Sequence, residues 1–296
     1  TCALPIFGKS RPVEIRRNSL GQSQFLTCAG REIHFTEWGD RAAPPLIMWH
    51  GLARTGRDFD ITAAAMAKDY WIICPDTVGR GLSQWSPDRD REYCYDFYGK
   101  TALSLFDQLG IDKTPWIGTS MGGSLGMSLA AGALKGRISH LVINDIGPEI
   151  PVEAVERIKT YVGNLPKFNC LSALAAWFRA AYLPFGENPD IYWQTMLETS
   201  FRRTDDGHIT VHYDPAIVSQ FTLHGSDLEL WDEYDTITCP TLLLRGADSD
   251  VLPRDVAQAM TERGPRAQLV EIEGFGHAPT LGSDGEIDVI TEFLQT

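Results

Sequence analysis

Short apolar runs bounded by turn residues recur along the chain and are typical of buried β-strands. In the middle of the chain they are almost continuously hydrophobic, as a parallel sheet covered on both faces requires. The runs are QFLTC and EIHFTEW, PLIMWH (45–50), YWIICPD (70–76), TPWIGTS (114–120), HLVIND (140–145), TLLLRG (241–246) and AQLVEIEG (267–274). We therefore predict a mostly parallel sheet, preceded by an antiparallel hairpin that turns around Ala29-Gly30.

Stretches with helical spacing lie between these strands. Gly110 and Gly136 stand where two of the helices would stop, because glycine commonly ends a helix. The stretches are 58–68, 96–109, 121–135, 254–263 and 284–294. Strands that alternate with helices predict an α/β fold with a mostly parallel central sheet and helices on both faces.

The alternation breaks after HLVIND, because residues 148–236 contain no further clear buried strand. A structureless loop of that length is improbable in a compact domain, and aromatic residues recur in it at helix-like spacings. We predict a helical cap, residues 148–236, inserted after the sixth strand of a core made of 1–147 and 237–296. Aromatic residues of this cap would form the wall of an apolar substrate pocket, and the candidates are Trp177, Phe178, Tyr182 and Trp193.

The charge of the chain excludes several kinds of partner. The formal net charge is −13, and no Lys/Arg-rich stretch interleaved with aromatics offsets it locally, which argues against nucleic acid and anionic membranes. No apolar run approaches the roughly 18 to 20 residues of a membrane helix, and the first residues lack the layout of a signal peptide. We therefore expect a cytoplasmic protein, while the missing initiator Met leaves a trimmed or processed N-terminus open.

The cysteines are scattered and form no C-x-x-C pair. Cys74 ends an apolar run and Cys239 precedes a proline, which suits packing residues better than disulfides. We predict that the six cysteines are reduced, as in cytoplasmic proteins; they are Cys2, Cys28, Cys74, Cys94, Cys170 and Cys239.

The strongest chemical signal is the pentapeptide Gly118-Thr119-Ser120-Met121-Gly122. It follows the strand run TPWI and precedes a helix-like stretch, which is the context of a G-x-S-x-G nucleophile elbow. The serine of such an elbow sits on a strained turn, and the two glycines are needed where strand and helix crowd together. We predict that Ser120 is a nucleophile; a plain glycine-rich turn is the alternative.

A serine hydroxyl needs a general base to take its proton during attack. His277 in GFGHAP follows the last strand run, and this place fits the chain order serine, acid, histidine. The alternative for His277 is an ordinary surface-loop histidine. The other histidines lie in the hairpin, before a strand or inside the predicted cap.

Two aspartates compete for the role of the acid that orients the histidine. Asp145 ends the run HLVIND, and Asp250 lies in RGADSDVLP just beyond TLLLRG. The usual acid position after that later strand is three residues beyond its glycine, and Ser249 occupies it here. This register favours Asp145, and the other aspartate would then serve as a turn former or helix cap.

Two backbone N–H groups are candidates for an oxyanion hole. The sharp turn His50-Gly51-Leu52 closes the strand PLIMW, and Met121 begins the helix after Ser120. An ordinary strand-ending turn is the alternative for the first. The glycines of DTVGRGLS (76–83) match neither the Walker nor the dinucleotide spacing, and we predict no cofactor and no metal.

Four motifs in this order, HGLART, DTVGRGLS, GTSMGG and GFGH, resemble those of the α/β-hydrolase superfamily over residues 22–296. The resemblance implies that Ser120 is the nucleophile, that His277 is the base, that Leu52 and Met121 are oxyanion donors, and that a cap follows the sixth strand. The segment NDIGP resembles that of small esterases whose acid follows the sixth strand, which supports Asp145. Dehalogenases and epoxide hydrolases of this fold carry aspartate at the elbow, so Ser120 argues against both activities.

The resulting hypothesis is a carboxylesterase-like serine hydrolase that acts on a small or medium-sized ester through an acyl-enzyme. Lactone hydrolysis and carbon–carbon bond hydrolysis of a dienoate would use the same triad, and Arg54 or Arg80 could hold the carboxylate of such a dienoate. A small-molecule receptor of the same fold is the alternative from another class. The oligomeric state stays open.

Overall fold

The structure is a computed structural model, and it describes residues 21–296. Eight strands form one sheet in the order β1-β2-β4-β3-β5-β6-β9-β10. They are β1 Gln22–Cys28, β2 Arg31–Trp38, β3 Pro45–Trp49, β4 Trp71–Pro75, β5 Thr114–Thr119, β6 Ile138–Asn144, β9 Thr241–Gly246 and β10 Gln268–Ile272. Strands β3 to β6, β9 and β10 pair in parallel, whereas β1 and β2 are antiparallel, so the predicted sheet is confirmed.

The first two strands form the predicted hairpin. Ala29 and Gly30 connect them, with φ angles of 49° and 79°. Two-residue hairpin turns of this kind need positive φ at both central residues, which glycine adopts without a steric penalty. β2 then pairs antiparallel with β4 and places the hairpin at one edge of the sheet.

Successive residues of the central strands point into two separate hydrophobic cores. Ile47 and Trp49 of β3 lie in one core, while Leu46 and Met48 lie in the other. This alternation follows from the two-residue period of a strand, and both faces are apolar because helices cover both. The side chains that position the site therefore stand on a sheet that is packed from both sides.

Eleven α-helices occur in the described residues. Their bounds are α1 Asp60–Met66, α2 Arg89–Glu92, α3 Tyr95–Leu109, α4 Met121–Ala131, α5 Val152–Val162, α6 Leu171–Ala181, α7 Asp190–Thr199, α8 Ser219–Leu223, α9 Trp231–Tyr234, α10 Arg254–Glu262 and α11 Asp284–Leu294. The predicted helix 121–135 ends earlier, at Ala131, because the chain turns at Gly132. The predicted helix 58–68 is a 3₁₀ turn, Gly56–Phe59, followed by α1.

Residues 148–236, called the insertion below, lie between β6 and β9 and contain α5 to α9. They also contain a small antiparallel hairpin of β7 Phe201–Arg203 and β8 Ile209–Val211, which the sequence analysis did not predict. Each of these strands has only three residues, too few for a two-residue alternation to be recognised. The predicted polar turn TDDGH (204–208) connects the two strands.

The chain that follows β8 docks the insertion onto the loop after β4. The backbone N–H of Gly81 donates to the carbonyl of His212 at 2.9 Å, and the N–H of Asp214 donates to Gly79 at 2.8 Å. The fully buried Asp214 carboxylate accepts from the Tyr93 hydroxyl at 2.8 Å and pairs with Arg89. The insertion is therefore tied to the core by backbone pairing and by a buried carboxylate.

Cys28, Cys74, Cys94, Cys170 and Cys239 carry free thiols, and the first three are buried. Cys2 lies outside the described residues. None of the helices described in residues 21–296 is both long enough and apolar enough to span a membrane.

Candidate active site

Ser120 stands on a sharp turn between β5 and α4. Its backbone has φ 52° and ψ −119°, a conformation that side chains rarely adopt outside strained functional turns. The turn is held by the N–H of Ser120, which donates to the carbonyl of Asn144 at 2.8 Å. The side chain is thereby lifted from the carboxyl end of the sheet.

Glycine is required on both sides of this turn. A Cβ atom on Gly118 would lie 2.1 Å from the carbonyl oxygen of Gly122, and one on Gly122 would lie 2.0 Å from that of Trp49. These distances are far inside van der Waals contact, so only glycine lets β5, α4 and the end of β3 meet. The crowding expected from the sequence is present at both positions.

His277 reaches Ser120 from the loop after β10. Its Nε2 lies 2.9 Å from the Ser120 Oγ, and its side chain is 13% exposed. The loop is fixed on two sides: Gly276 donates its N–H to Pro184 at 2.7 Å, and the carbonyl of Pro279 accepts from the Asn144 amide at 2.8 Å. The imidazole is thus held at hydrogen-bonding distance from the serine hydroxyl.

Asp145 completes a hydrogen-bonded chain from the other end of the imidazole. It directly follows β6 with φ 59°, its side chain is fully buried, and its Oδ2 lies 2.8 Å from the His277 Nδ1. Its Oδ1 accepts from the backbone N–H of Gly246 at 2.8 Å. A carboxylate in this place can keep the Nδ1 proton on the imidazole and leave Nε2 free to accept a proton from Ser120.

The loop after β9 supports Asp145 and does not compete with it. The hydroxyl of Ser249, at the usual acid position, donates to the Asp145 Oδ2 at 2.7 Å. Within residues 21–296, Asp250 makes no hydrogen bond or ion pair with His277 and pairs instead with Arg157 of the insertion at 2.7 Å. The structure therefore brings Asp145, and not Asp250, to the histidine.

The turn after β3 lies directly in front of Ser120. A Cβ atom on Gly51 would lie 3.5 Å from the Ser120 Cβ, so the chain passes close to the serine. His50 fixes this turn: its Nδ1 is 2.6 Å from the carbonyl of Gly51, and its Nε2 accepts from the N–H of Thr77 at 2.9 Å. Complete burial lowers the pKa of His50 to about 4, so the ring stays neutral near pH 7 and keeps this bonding pattern.

Arg80 connects the two residues predicted to form the oxyanion hole. Its Nε donates to the carbonyl of Leu52 at 2.8 Å, and its Nη2 lies 3.6 Å from the Met121 sulfur. Nη1 donates to Val78 and to the Tyr98 hydroxyl, both at 2.8 Å. Arg80 is fully buried, each of its three guanidinium nitrogens has a partner, and it does not line the cavity described below, which suits a support for this loop.

A cavity opens above Ser120 and is bounded by both the core and the insertion. The cavity and its mouth together contain about 860 Å³ of empty space, part of which is open solvent. The core contributes the turn His50–Leu52, Ser120 and His277. The insertion contributes the side chains that face them, among them Arg157, Ile158, Tyr161, Val162, Tyr182, Phe185 and Tyr192.

Of the four aromatic residues predicted for the pocket wall, Tyr182 lines this cavity and the other three lie elsewhere. Phe178 is buried one helical turn before Tyr182 and packs behind it, with ring centroids 5.8 Å apart. Trp177 packs against Phe168, and Trp193 packs against Arg179. Successive helical residues point about 100° apart, so Tyr192 faces the cavity and its neighbour Trp193 does not.

Arg54, the other predicted carboxylate binder, lines the cavity but is already paired. Its Nε and Nη2 donate to the two oxygens of Asp58 at 2.8 and 2.5 Å, and Nη2 also donates to Ser200 at 3.1 Å. Burial alone would lower the pKa of Arg54, yet the Asp58 carboxylate outweighs it and raises the pKa above its usual value. The Arg54–Asp58 pair thus presents little net charge.

Four residues of the site were not predicted from the sequence: Ser249, Arg157, Tyr161 and Tyr192. Ser249 was noted in the sequence only because it occupies the usual acid position in place of an aspartate. Its hydroxyl could have indicated a donor to the predicted acid Asp145, because a buried carboxylate needs hydrogen-bond donors. Within residues 21–296, no cluster of three or more His, Cys, Asp or Glu side chains is arranged to hold a metal ion.

Comparisons with known proteins agree with this fold. A sequence profile of the Alpha/beta hydrolase family matches residues 46–287. A 3-hydroxybutyrate-oligomer hydrolase from Cupriavidus necator is 35% identical over 286 residues, covering 93% of this chain and 97% of the relative.

Two solved structures are also similar. An alpha/beta hydrolase from Novosphingobium aromaticivorans is 33% identical with a TM-score of 0.83, covering 93% of this chain and 98% of the other. A protein from Rickettsia typhi is 30% identical with a TM-score of 0.85, covering 93% and 99% of the two chains.

Proposed function

This chain belongs to the alpha/beta hydrolase family and is a hydrolase, and we propose that it cleaves carboxylic esters through an acyl-enzyme formed on Ser120. One observation carries the proposal: Ser120, His277 and Asp145 form a continuous hydrogen-bonded chain whose serine end lines the cavity. A nucleophile, a base and an orienting acid at hydrogen-bonding distance are what acyl transfer requires.

In the acylation step, the Ser120 Oγ attacks the ester carbonyl carbon while the His277 Nε2 takes its proton. The buried Asp145 carboxylate keeps the Nδ1 proton in place and stabilises the imidazolium that forms. The N–H groups of Leu52 and Met121 stabilise the negative oxygen of the tetrahedral intermediate. The imidazolium then gives its proton to the departing alcohol oxygen, and the acyl group stays on Ser120.

In the deacylation step, a water molecule takes the place of the alcohol. His277 accepts a proton from this water as its oxygen attacks the acyl carbon, and the same oxyanion donors stabilise the second intermediate. The Ser120 Oγ leaves and takes the proton back from His277, which releases the acid and restores the enzyme.

The substrate we propose is a short oligomer of a hydroxy acid, such as the dimer of 3-hydroxybutyrate. The support is the 35% identity to a 3-hydroxybutyrate-oligomer hydrolase across nearly the whole of both chains. We propose that the insertion acts as a cap over Ser120, with Tyr161, Tyr182 and Tyr192 as the wall that contacts the substrate.

The other activities considered from the sequence have less support. Arg80 is enclosed and does not reach the cavity, and the charge of Arg54 is balanced by a bidentate pair with Asp58, so neither brings a net positive charge to the carboxylate of a dienoate. An activity screen that compares lactones and dienoates with p-nitrophenyl esters and 3-hydroxybutyrate oligomers distinguishes these activities. A receptor would show slow single-turnover hydrolysis, whereas an esterase shows a burst followed by sustained turnover.

Replacement of Ser120 by alanine tests the proposal. The elbow keeps its glycines, so Ser120→Ala should fold normally and lose activity by about 10⁶-fold, as in comparable nucleophile variants. Steady-state release of p-nitrophenol and the unfolding midpoint should be measured for wild type and variant. Ser128→Ala, on α4 but away from the cavity lining, is the matched control and should keep wild-type turnover. Substantial esterase activity in pure Ser120→Ala protein would refute the proposal.

A further inference from the structure

Arg157 brings a positive charge from the insertion into the cavity that holds Ser120. It lies on α5 and lines the cavity together with Ser120 and His277. Its Nη2 is 2.7 Å from the Asp250 Oδ2, and the two side chains are 40% and 50% exposed. The pair joins the insertion to the loop after β9 and leaves the guanidinium at the boundary of cavity and solvent.

The charges of the cavity wall do not balance. Its charged side chains are Arg54, Asp58 and Arg157, apart from the titratable histidines His50 and His277 and the tyrosines. Arg54 and Asp58 neutralise each other through a bidentate pair within the lining, whereas Arg157 pairs with Asp250, a carboxylate outside it. Asp250 is not among the lining residues, and water on its exposed side screens its attraction.

Arg157 also has an unused donor in a place shielded from water. Its Nε is buried and has no hydrogen-bond partner within residues 21–296. A buried polar group without a partner is uncommon, so the Arg157 side chain has hydrogen-bonding capacity that the described residues do not use.

The neighbouring wall residue supplies a second donor. Tyr161 lies one helical turn after Arg157 and lines the same cavity, because residues four apart share a helix face. Burial, more than any other cause, raises the pKa of Tyr161, so its hydroxyl stays protonated and can donate a hydrogen bond. A guanidinium beside a hydroxyl donor suits a carboxylate.

We propose that Arg157 and Tyr161 form a subsite for the free carboxylate of an acid-terminated ester, so that the enzyme selects such esters over neutral ones. This inference rests on the proposed function and deepens it. The ester bond to be cleaved lies at Ser120, and the carboxylate end of the same substrate lies at Arg157. A hydroxy-acid oligomer with a free acid terminus has both groups.

The test compares two substrates that differ only in this charge: the 3-hydroxybutyrate dimer and its methyl ester. The selectivity ratio is kcat/KM for the acid divided by kcat/KM for cleavage of the internal ester bond of the methyl ester. For the wild type we expect a ratio above one. In Arg157→Gln the ratio should fall about 10- to 100-fold, the range for loss of a hydrogen bond to a charged group.

Arg179→Gln is the matched control, because Arg179 is an exposed arginine of the insertion that pairs with Asp190 and does not line the cavity. This variant should keep the wild-type ratio. Arg157→Lys retains the charge without the planar donor pair, and its ratio should lie between those of the wild type and Arg157→Gln.

Asp250→Asn separates direct binding from a structural role. Its carboxylate competes with the substrate for Arg157, so its removal should raise the ratio. If Asp250→Asn lowers the ratio as much as Arg157→Gln does, then Arg157 acts through the ion pair and the subsite is refuted.

The remaining outcomes separate this inference from the proposed function. The subsite would be overturned if the ratio in Arg157→Gln stayed unchanged, which includes an equal loss of activity on both substrates. It would also be overturned if the wild type preferred the methyl ester or cleaved neither substrate. In each case, Ser120-dependent hydrolysis of p-nitrophenyl esters would leave the proposed function standing. Activity that survives Ser120→Ala would refute the proposed function itself.

Discussion

The ends of β6 and β9 each carry an aspartate close to the same histidine loop, and they differ in what surrounds the carboxylate. Asp145 after β6 is fully buried and accepts from a backbone N–H, a serine hydroxyl and the imidazole. Asp250 after β9 is half exposed and faces Arg157 of the insertion. The two residues have the same carboxylate group, but only the first is enclosed and fixed.

This difference shows what makes a carboxylate suitable as a triad acid. An ionised group is stable in the interior only when donors replace the water that it has lost. At Asp145 two of these donors come from Gly246, the last residue of β9, and from Ser249 in the loop after it. The two strand ends therefore form one structure, in which one supplies the carboxylate that contacts His277 and the other supplies donors to that carboxylate.

The largest expected effect is on the acid itself. Asp145→Asn should lower kcat by about 10⁴-fold, because an amide cannot hold the Nδ1 proton of His277 or stabilise its imidazolium. Asp250→Asn should keep turnover of a neutral p-nitrophenyl ester within about threefold, since Asp250 does not reach the histidine. Steady-state kinetics at saturating substrate measure both variants.

Asp248→Asn is the control for this pair, because Asp248 is exposed on the same loop. It should behave like wild type. If Asp250→Asn were inactive and Asp145→Asn active, the assignment of the two strand ends would be reversed. Partial losses in both would mean that the two carboxylates share the histidine.

Much of the fold could be predicted from the sequence because its signals are local. The central strands are continuous apolar runs, and the turn at Ala29-Gly30 and the elbow glycines are required by backbone geometry at those positions. The chain order of Ser120, Asp145 and His277 follows from where strands end in a parallel sheet. The structure brings these three side chains into contact, and their catalytic roles stay a prediction.

The cavity wall could not be predicted in the same way, since it depends on how α5 to α7 are rotated against the core. Helical spacing predicts helices around Trp177, Phe178, Tyr182 and Trp193, but it does not predict which face meets Ser120. Tyr182 faces the cavity and the large neighbours pack inside the insertion. The ion pair of Arg157 and Asp250 joins residues far apart in the chain and leaves no local pattern.

The second prediction concerns the support that one strand end gives the other. Ser249→Ala removes a 2.7 Å hydrogen bond to the Asp145 Oδ2 and should lower kcat/KM by about 10- to 100-fold, the worth of a hydrogen bond to a charged group. The Ser249 hydroxyl also accepts weakly from the N–H of Leu252 at 3.1 Å, so the unfolding midpoint must be measured alongside.

Ser249→Thr keeps the hydroxyl and is the matched control, which should retain more activity than alanine. A Ser249→Ala protein that is less stable but fully active would contradict a role in positioning Asp145. Such a result would mean that the Ser249 hydroxyl only stabilises the turn before α10.

The smallest effect is expected for the ion pair between the strand end and the insertion. A double-mutant cycle of Asp250→Asn and Arg157→Gln, read by urea unfolding, should give a coupling free energy below about 1 kcal/mol, as for other solvent-exposed pairs. The coupling should shrink further in high salt, because counterions screen charges that water can reach. A coupling of several kcal/mol, the scale for breaking a buried pair, would contradict this. The ion pair would then hold the insertion on the core. The two strand ends would in that case stabilise different parts of the protein, Asp145 the histidine loop and Asp250 the insertion.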